Sequence, residues 1–528
     1  MRRRTFLTGI AATTASTLPV VAQGGGAQVL RYVPQVDVTV IDPVMTTAYI
    51  TRYHATMVWD QLYGIDSRLQ PQPQMVEGHT LEDDGRLWTF TLRDGLRFHD
   101  GEPVRGRDCI ASIRRWAARD PMGQALLARL AEMTAPDDRH FTIRLTRPFS
   151  LVLNCLGKLG PPALLIMPER LALTDPFQSI KEVVGSGPFR FVPGERVVGS
   201  RVVYERNQNY VPRPDGTPDW LAGPKIVNFD RVEWHVMPDP GTAAAALENG
   251  EVDWWENPPN DLLPALDRVK AIRVQDNSRL GTLGSGVFNH LYPPFDKAAV
   301  RRVILEATSQ ADFMTAGAGT NPEMWRAGVG VFTPNTPMAS DAGMEIINGP
   351  KRDLPTLRKA LRDAGYQGER VVMMVAADQA VQSAQGAVGL DVLRKLGMDV
   401  DYAAMDWGTL VQRRASKEPP SKGGWNLFIT GWQGLDMTTP ITNQVLRSNG
   451  AKAWFGWPDL PKVQALIDAW VEAPDLAEQR RIAADLQREA LDQVPYFPTG
   501  QYFSRTACRQ DITGIIQGQF VFWNVRRT

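Results

Sequence analysis

The sequence predicts an α/β fold in two lobes, on three observations. Strand, helix and strand alternate in two well-separated parts of the chain, 528 residues are too many for one core, and a glycine-rich stretch joins the two parts. In the first part "RVEWHVM" (231–237) reads as a strand. "DPGTAAAALENG" (239–250) follows as a helix opened by Asp239-Pro240 and closed by Gly250, and "VDWWEN" (252–257) as a second strand. In the second part "VVMMVA" (371–376) leads to a helix over 380–396 that ends at Gly397, then to the strand "MDVDYAAM" (398–405). A helix near 407–416 and the apolar strand "WNLFITGW" (425–432) extend that lobe. Between the parts, residues 281–308 run from the strand-like "GTLGSGVF" through Pro293-Pro294 into a helix with Ala299, Val303 and Ala307 on one side. Near the end, residues 475–495 form an amphipathic helix with Ala483, Leu486, Ala490 and Val494 inward. Pro495 stops it, and the chain then returns to the first lobe.

The first residues have a different character. "MRRRTFLTGIAATTASTLPVVAQ" has a basic head, a Thr- and Ala-rich middle and a small-residue end at Val20-Val21-Ala22, the pattern of a secretory signal. Arg3-Arg4-Thr5-Phe6-Leu7 fits the twin-arginine export pattern, so residues 1–22 are expected to be removed and the protein to reach the periplasm already folded. Their removal takes away three arginines, leaving 55 basic against 58 acidic residues. That balance gives no basic field, and nucleic acid is not an expected partner. Cys109, Cys155 and Cys508 are far apart and odd in number, so no cysteine framework holds the fold.

"WTFTLRDGLRFHDGEPVRGRDCIASIRRW" (88–116) tests whether His99-Asp100 is a reactive pair. Trp88, Phe90 and Leu92 alternate, as do Leu96 and Phe98. A three-residue loop, Arg93-Asp94-Gly95, would pair Leu92 with Leu96 and Phe90 with Phe98 in a bulged hairpin. Asp108 then stands where a helix cap or first-turn acid belongs, and Cys109, Ile113, Trp116 and Ala117 make one apolar stripe before Pro121. No second His or Cys lies at metal-ligand spacing from His99, so the pair is expected to shape a turn.

Six motifs in order carry a family resemblance: residues 88–116, "GSGPFRFVPGERVVGSRVVYERNQNY" (185–210), "ALENGEVDWW" (246–255), "PPFDKAAVRRVILEATSQADF" (293–313), "ALRDAGY" (360–366) and "RRIAADLQREALDQVPYFP" (480–498). The chain thereby resembles the extracytoplasmic solute-binding proteins of the dipeptide, oligopeptide and nickel ABC-transporter family, family 5. The resemblance implies a bilobal periplasmic-binding-protein fold: two α/β lobes, a hinge, and an extra subdomain inserted in the first lobe. On this chain lobe I would comprise 23–60, 185–280 and 495–528, the inserted subdomain 61–184, and lobe II 281–494. It also implies a monomer that captures a peptide or peptide-like solute and hands it to a membrane permease and, through it, an ATPase. In peptide-binding relatives an Asp shortly after a Gly-Trp pair receives the peptide amine; here "GWQGLDMTTP" (431–440) places Asp436 slightly later. Gly106 stands where the family usually has Ala.

Open α/β sheets bind ligands beyond the carboxyl ends of their strands. The loop after "WNLFITGW" offers there a ring, an amide, a bare backbone and a carboxylate in Trp432, Gln433, Gly434 and Asp436. In the first lobe Thr47 and Tyr49 follow a strand into a loop, and Arg447 in "LRSNGAKAWFGW" suits a carboxylate. These seven residues are the candidate ligand contacts. No cofactor is expected: no Walker loop, nucleophile elbow, His-Glu-x-x-His or correctly placed dinucleotide fingerprint occurs, and the six histidines are scattered. A twin-arginine-exported hydrolase or oxidoreductase is the rival reading.

Overall fold

A computed structural model describes residues 28–528. The proposed signal segment lies outside them. The first large sheet has seven strands, centred on three parallel ones: Val29–Val33 (β1) lies between Arg231–His235 (β2) and Trp254–Trp255 (β3). Tyr49–Val58 (α1) packs nearby, buried on nearly every face. The helix joining β2 to β3 is Pro240–Asn249 (α2), whose N-cap Asp239 accepts from Thr242 N and whose C-cap Gly250 is left-handed at φ 75°, as the sequence predicts.

The second sheet has six strands, including Thr282–Phe288 (β4), Val371–Ala376 (β5), Leu427–Gln433 (β6) and Tyr496–Tyr502 (β7). The parallel neighbours β5 and β6 are flanked by Ala380–Lys395 (α3) and Trp407–Arg413 (α4). The first large sheet ends with Ile272–Asp276, and β4 begins the second at Thr282, so the outward crossing occupies 277–281. The way back differs from the expectation that the chain returns directly after Pro495. Residues 496–502 first pair with β4, and only Arg505–Arg509 joins the first sheet. The glycines of β4 permit this, because a Cβ at Gly286 would lie 2.0 Å from the Phe497 ring.

A four-stranded antiparallel sheet forms a third layer, in the order Val76–Glu82, Leu87–Leu92, His140–Leu145, Leu130–Thr134. Here the predicted hairpin is corrected. Leu87–Leu92 is a strand with Trp88, Phe90 and Leu92 buried, but its partners are the strands at 76–82 and 140–145, and both of its edges are used. Residues 96–98 instead fold against 102–104, through Phe98 N to Glu102 O and Val104 N to Leu96 O. Gly95 is left-handed, at φ 78°, within the turn that leads there. Alternation identified the strand; its near partner precedes it across the short turn at 83–86 rather than following it, and its other partner, 140–145, lies far along the chain. His99 ties this turn to the 185–187 segment. Its Nδ1 accepts from Gly185 N at 3.3 Å and its Nε2 donates to Gly187 O at 3.2 Å, and burial lowers its pKa to about 4. A neutral ring with both nitrogens engaged is scaffold.

The helix Gly106–Ala117 buries Cys109, Ile113, Trp116 and Ala117, and Asp108 accepts from Arg105 N at 2.8 Å. On Ala298–Ala307, Val303 is inward as expected, while Ala299 is exposed and Arg301 is buried. The cause is polar: Arg301 donates to the carbonyls of Phe295, Gln493 and Val494, holding the otherwise open end of the Leu476–Gln493 helix. Ala483, Leu486, Ala490 and Val494 are buried, as the sequence predicts.

The inserted layer is fixed to the first lobe by a buried ion pair. Arg115 reaches Asp42 with two bonds, Nη1 to Oδ1 at 3.1 Å and Nη2 to Oδ2 at 2.7 Å, and Asp42 also accepts from Val44 N and Ile180 N. Both side chains are 1% exposed. Arg115→Met, which leaves Asp42 buried without its cation, is expected to cost about 3–5 kcal/mol. An unchanged urea midpoint would show that Asp42 finds other compensation.

Candidate functional site

The carboxyl ends of both sheets face one cavity of about 450 Å³. Gln35 follows β1, Met237 follows β2, Glu256 follows β3, Gln379 follows β5, and Gly431 and Gln433 lie at the end of β6. Each is set at the rim because its strand runs toward the gap and stops there. Gln35 Nε2 donates across the gap to Gln379 Oε1 at 2.8 Å.

Beside the cavity α1 meets β6. Tyr49, Arg52 and Tyr53 fall at i, i+3 and i+4, so one helix face carries all three. Tyr49 Oη donates to Asp436 Oδ2 at 2.6 Å and accepts from Gln433 N at 2.7 Å. Arg52 Nη2 donates to Gln433 Oε1 at 2.8 Å, and Gln433 Nε2 donates to Tyr53 Oη at 2.7 Å. Arg52 also lies over the Tyr49 and Tyr53 rings, 5.0 and 5.1 Å from their centroids. Burial pushes the Asp436 carboxyl above its ordinary range, against the pull of Arg52.

The structure thus brings Tyr49, Gln433 and Asp436 together. The other four candidates stand elsewhere. Trp432 is buried edge-on against Trp454, with ring centroids 5.0 Å apart, and does not line the cavity. Gly434 serves a close backbone approach, since a Cβ there would lie 2.1 Å from Leu280 O. Thr47 and Arg447 line a second cavity of about 560 Å³ between the inserted layer and the second lobe. There Thr47 Oγ1 accepts from Arg414 Nη2 at 3.1 Å, and Arg447 Nη2 donates to Gln124 Oε1 at 2.5 Å. Asp436 itself is 4% exposed and is not part of the main cavity wall.

Sequence reasoning missed Arg52, Tyr53, Glu256, Gln379, Gln382 and Arg414. The spacing of Tyr49, Arg52 and Tyr53 on one helix face was the available signal for the first two. Glu256 follows the strand "VDWW" by one residue, which the rule of carboxyl ends also points to. Gln379, Gln382 and Arg414 carried no local signal.

Family comparison agrees with this architecture. Residues 70–453 match the model of the bacterial extracellular solute-binding proteins, family 5. The chain belongs to this family. Over its whole length it is 35% identical to a probable peptide ABC transporter periplasmic-binding protein of Sinorhizobium fredii, covering 99% of that protein. A glutathione-binding protein of Pectobacterium atrosepticum is 25% identical over 87% of this chain and 85% of its own. Among solved structures, a periplasmic binding protein of A. tumefaciens R10 in complex with agropinic acid superposes with a TM-score of 0.79 at 19% identity, over 95% of this chain and 99% of that one. A dipeptide-binding protein of Pseudoalteromonas in complex with Met-Leu gives 0.77 at 19% identity, over 95% and 100%. The fold of this family 5 chain is therefore the bilobal periplasmic-binding-protein fold. Among the described residues no helix is long and apolar enough to cross a membrane.

Two expectations follow from the site. Burial pushes the Glu256 carboxyl up to about 7, opposed by the Gln35 N–H and by Arg52. An unfolded Glu titrates near 4.3. Between roughly pH 4.5 and 7 the folded chain therefore holds a proton that the unfolded chain has lost, and stability falls as pH rises through that window. Glu256→Gln should remove this slope and raise stability at pH 8 by about 3 kcal/mol. Parallel urea-midpoint profiles for the two proteins from pH 5 to 8 would contradict it. Separately, a Cβ on Gly160 would lie 2.0 Å from Asp436 Oδ1. Gly160→Ala should hinder closure and weaken solute binding while changing the melting temperature of the empty protein little. An equal affinity would mean that the two segments do not need this approach.

Proposed function

We propose that this family 5 protein is the periplasmic receptor of an ABC importer, capturing a peptide or peptide-like solute between its lobes and delivering it to a membrane permease coupled to an ATPase. The observation that carries this reading is the cavity at the carboxyl ends of both sheets, bridged by Gln35–Gln379 and flanked by the Tyr49, Arg52 and Tyr53 bonds to Gln433 and Asp436. Opening and closing of those bonds would let the lobes part and close around a solute. The names of the relatives, a probable peptide-binding and a glutathione-binding protein among them, support the choice of solute class. The rival reading of an exported hydrolase or oxidoreductase draws no support from the family.

On this reading the protein works as a monomer, exported by the twin-arginine route, with lobe I at 23–60, 185–280 and 495–528, the inserted subdomain at 61–184 and lobe II at 281–494. The pairing of β7 with β4 supports a returning edge of lobe I at about 503 rather than 495. Protein purified from its native periplasm should release a peptide or peptide-like molecule on denaturation, identified by mass spectrometry. Adding that molecule back to stripped protein should contract its X-ray scattering profile. A stoichiometric redox cofactor among the released molecules, or an unchanged profile with ligand bound, would overturn the reading.

A further inference from the structure

The walls of the main cavity are unbalanced in charge. Three carboxylates line it, Glu256, Asp261 and Asp378, and among the described residues no lysine, arginine or histidine does. Asp261 and Asp378 are exposed at the rim, whereas Glu256 is 1% exposed. Its Oε2 accepts from Gln35 N at 2.7 Å and its Oε1 from Asn257 Nδ2 at 3.3 Å. A carboxylate has about four lone-pair directions, so even with the Tyr32 hydroxyl beside it these bonds leave accepting capacity. Gln382 adds a second, independent acceptor: it lines the same cavity at 7% exposure, and its Oε1 has no hydrogen-bond partner. Asn257 Oδ1, also on the wall, is buried and unpartnered.

A cavity whose walls offer acceptors at Glu256, Asn257 and Gln382 selects an occupant rich in donors, and the buried acid selects positive charge. Asp436 is in a different position. Its carboxylate is consumed by Tyr49, crowded by Gly160 and set back from the cavity wall. Arg52 stands behind the seam, committed to Gln433 and to the Tyr49 and Tyr53 rings. A ligand carboxylate in this cavity therefore meets no lining cation, while an ammonium or guanidinium group finds Glu256, Asn257 and Gln382 among its walls.

We infer that Glu256 is the specificity-determining carboxylate of the cavity, and that the solute class it selects carries an ammonium or guanidinium group seated against Glu256, Asn257 and Gln382. This inference rests on the reading of the chain as a solute receptor and deepens it: a peptide is held by its amine, at Glu256 rather than at Asp436. The aromatic walls, Trp255, Tyr53, Tyr502 and Phe520, give the rest of the solute an apolar surround and suit the cation itself.

The test uses the mature protein stripped of bound solute, with two mixed dipeptide libraries, one with free amines and one N-acetylated, and with agmatine as a cation that is no peptide. Binding is read by calorimetry or native mass spectrometry on wild type, Glu256→Gln, Glu256→Asp and Asp436→Asn, each first shown by its melting curve to be folded. The free-amine library is expected to bind wild type, and acetylation or Glu256→Gln to weaken binding about tenfold or more. Glu256→Asp, which keeps the charge, should retain the preference for free amines. Binding of agmatine without either library would sustain the cation site while overturning the peptide reading. Equal binding of both libraries, or loss in Asp436→Asn with none in Glu256→Gln, would overturn the inference and leave the peptide reading intact. Binding of none of the three probes would overturn both.

Discussion

The closed form depends on polar groups being buried where α1 meets the end of β6. Tyr49, Arg52 and Tyr53 on one side, and Gln433 and Asp436 on the other, lose water when they meet and recover its hydrogen bonds from each other. A buried polar atom left without a partner costs about 1–3 kcal/mol, so such a seam holds only when its geometry is satisfied. The satisfaction is incomplete: Arg52 Nη1 and Gln382 Oε1 remain unpartnered in the closed arrangement. On the proposed reading, a solute that gives the cavity-lining Gln382 Oε1 its missing partner shifts the balance toward closure.

Close backbone approaches set the precision of that seam. Gly160 lets Asp436 sit against the inserted layer, and Gly434 lets the loop after β6 lie on the chain at Leu280, beside the crossing between lobes. A side chain at either position would hold the lobes apart by more than a hydrogen bond tolerates. Away from the seam, buried ion pairs such as Arg115–Asp42 and Lys225–Asp60 keep the pieces of the first lobe in one arrangement. Their worth lies in the cost of breaking them, since an unpaired charge in the interior is far less favourable than a paired one.

Charge is also segregated between the two cavities. The main one is lined by acids alone, and the second, between the inserted layer and lobe II, carries Arg119, Arg447 and Lys452 with Trp454 and Phe455. Arg414 stands between them, over the Trp407, Trp454 and Phe455 rings, and burial lowers its pKa to about 9.

Local chemistry made much of the fold legible in the sequence. Asp239 and Gly250 bounded a helix because a cap and a left-handed residue are properties of a few neighbours, and "VVMMVA" read as a buried strand because its composition leaves no polar face. The rule of carboxyl ends located the loop after β6 and, with it, Gln433 and Asp436. Which of these residues meets the solute was decided elsewhere in the chain. Tyr49 lies 387 positions from Asp436 and covers its carboxylate, Gly160 approaches it from the inserted layer, and Glu256 reaches the cavity because β3 stops one residue earlier. The 140–145 partner of Leu87–Leu92 and the late return of β7 were likewise set by long-range pairing. The sequence by itself determined the elements, the family and the rim at the carboxyl ends of the strands. Only the tertiary structure decided which carboxylate faces the cavity and which is spent on closing it, because burial and hydrogen-bond partners are properties of the assembled lobes.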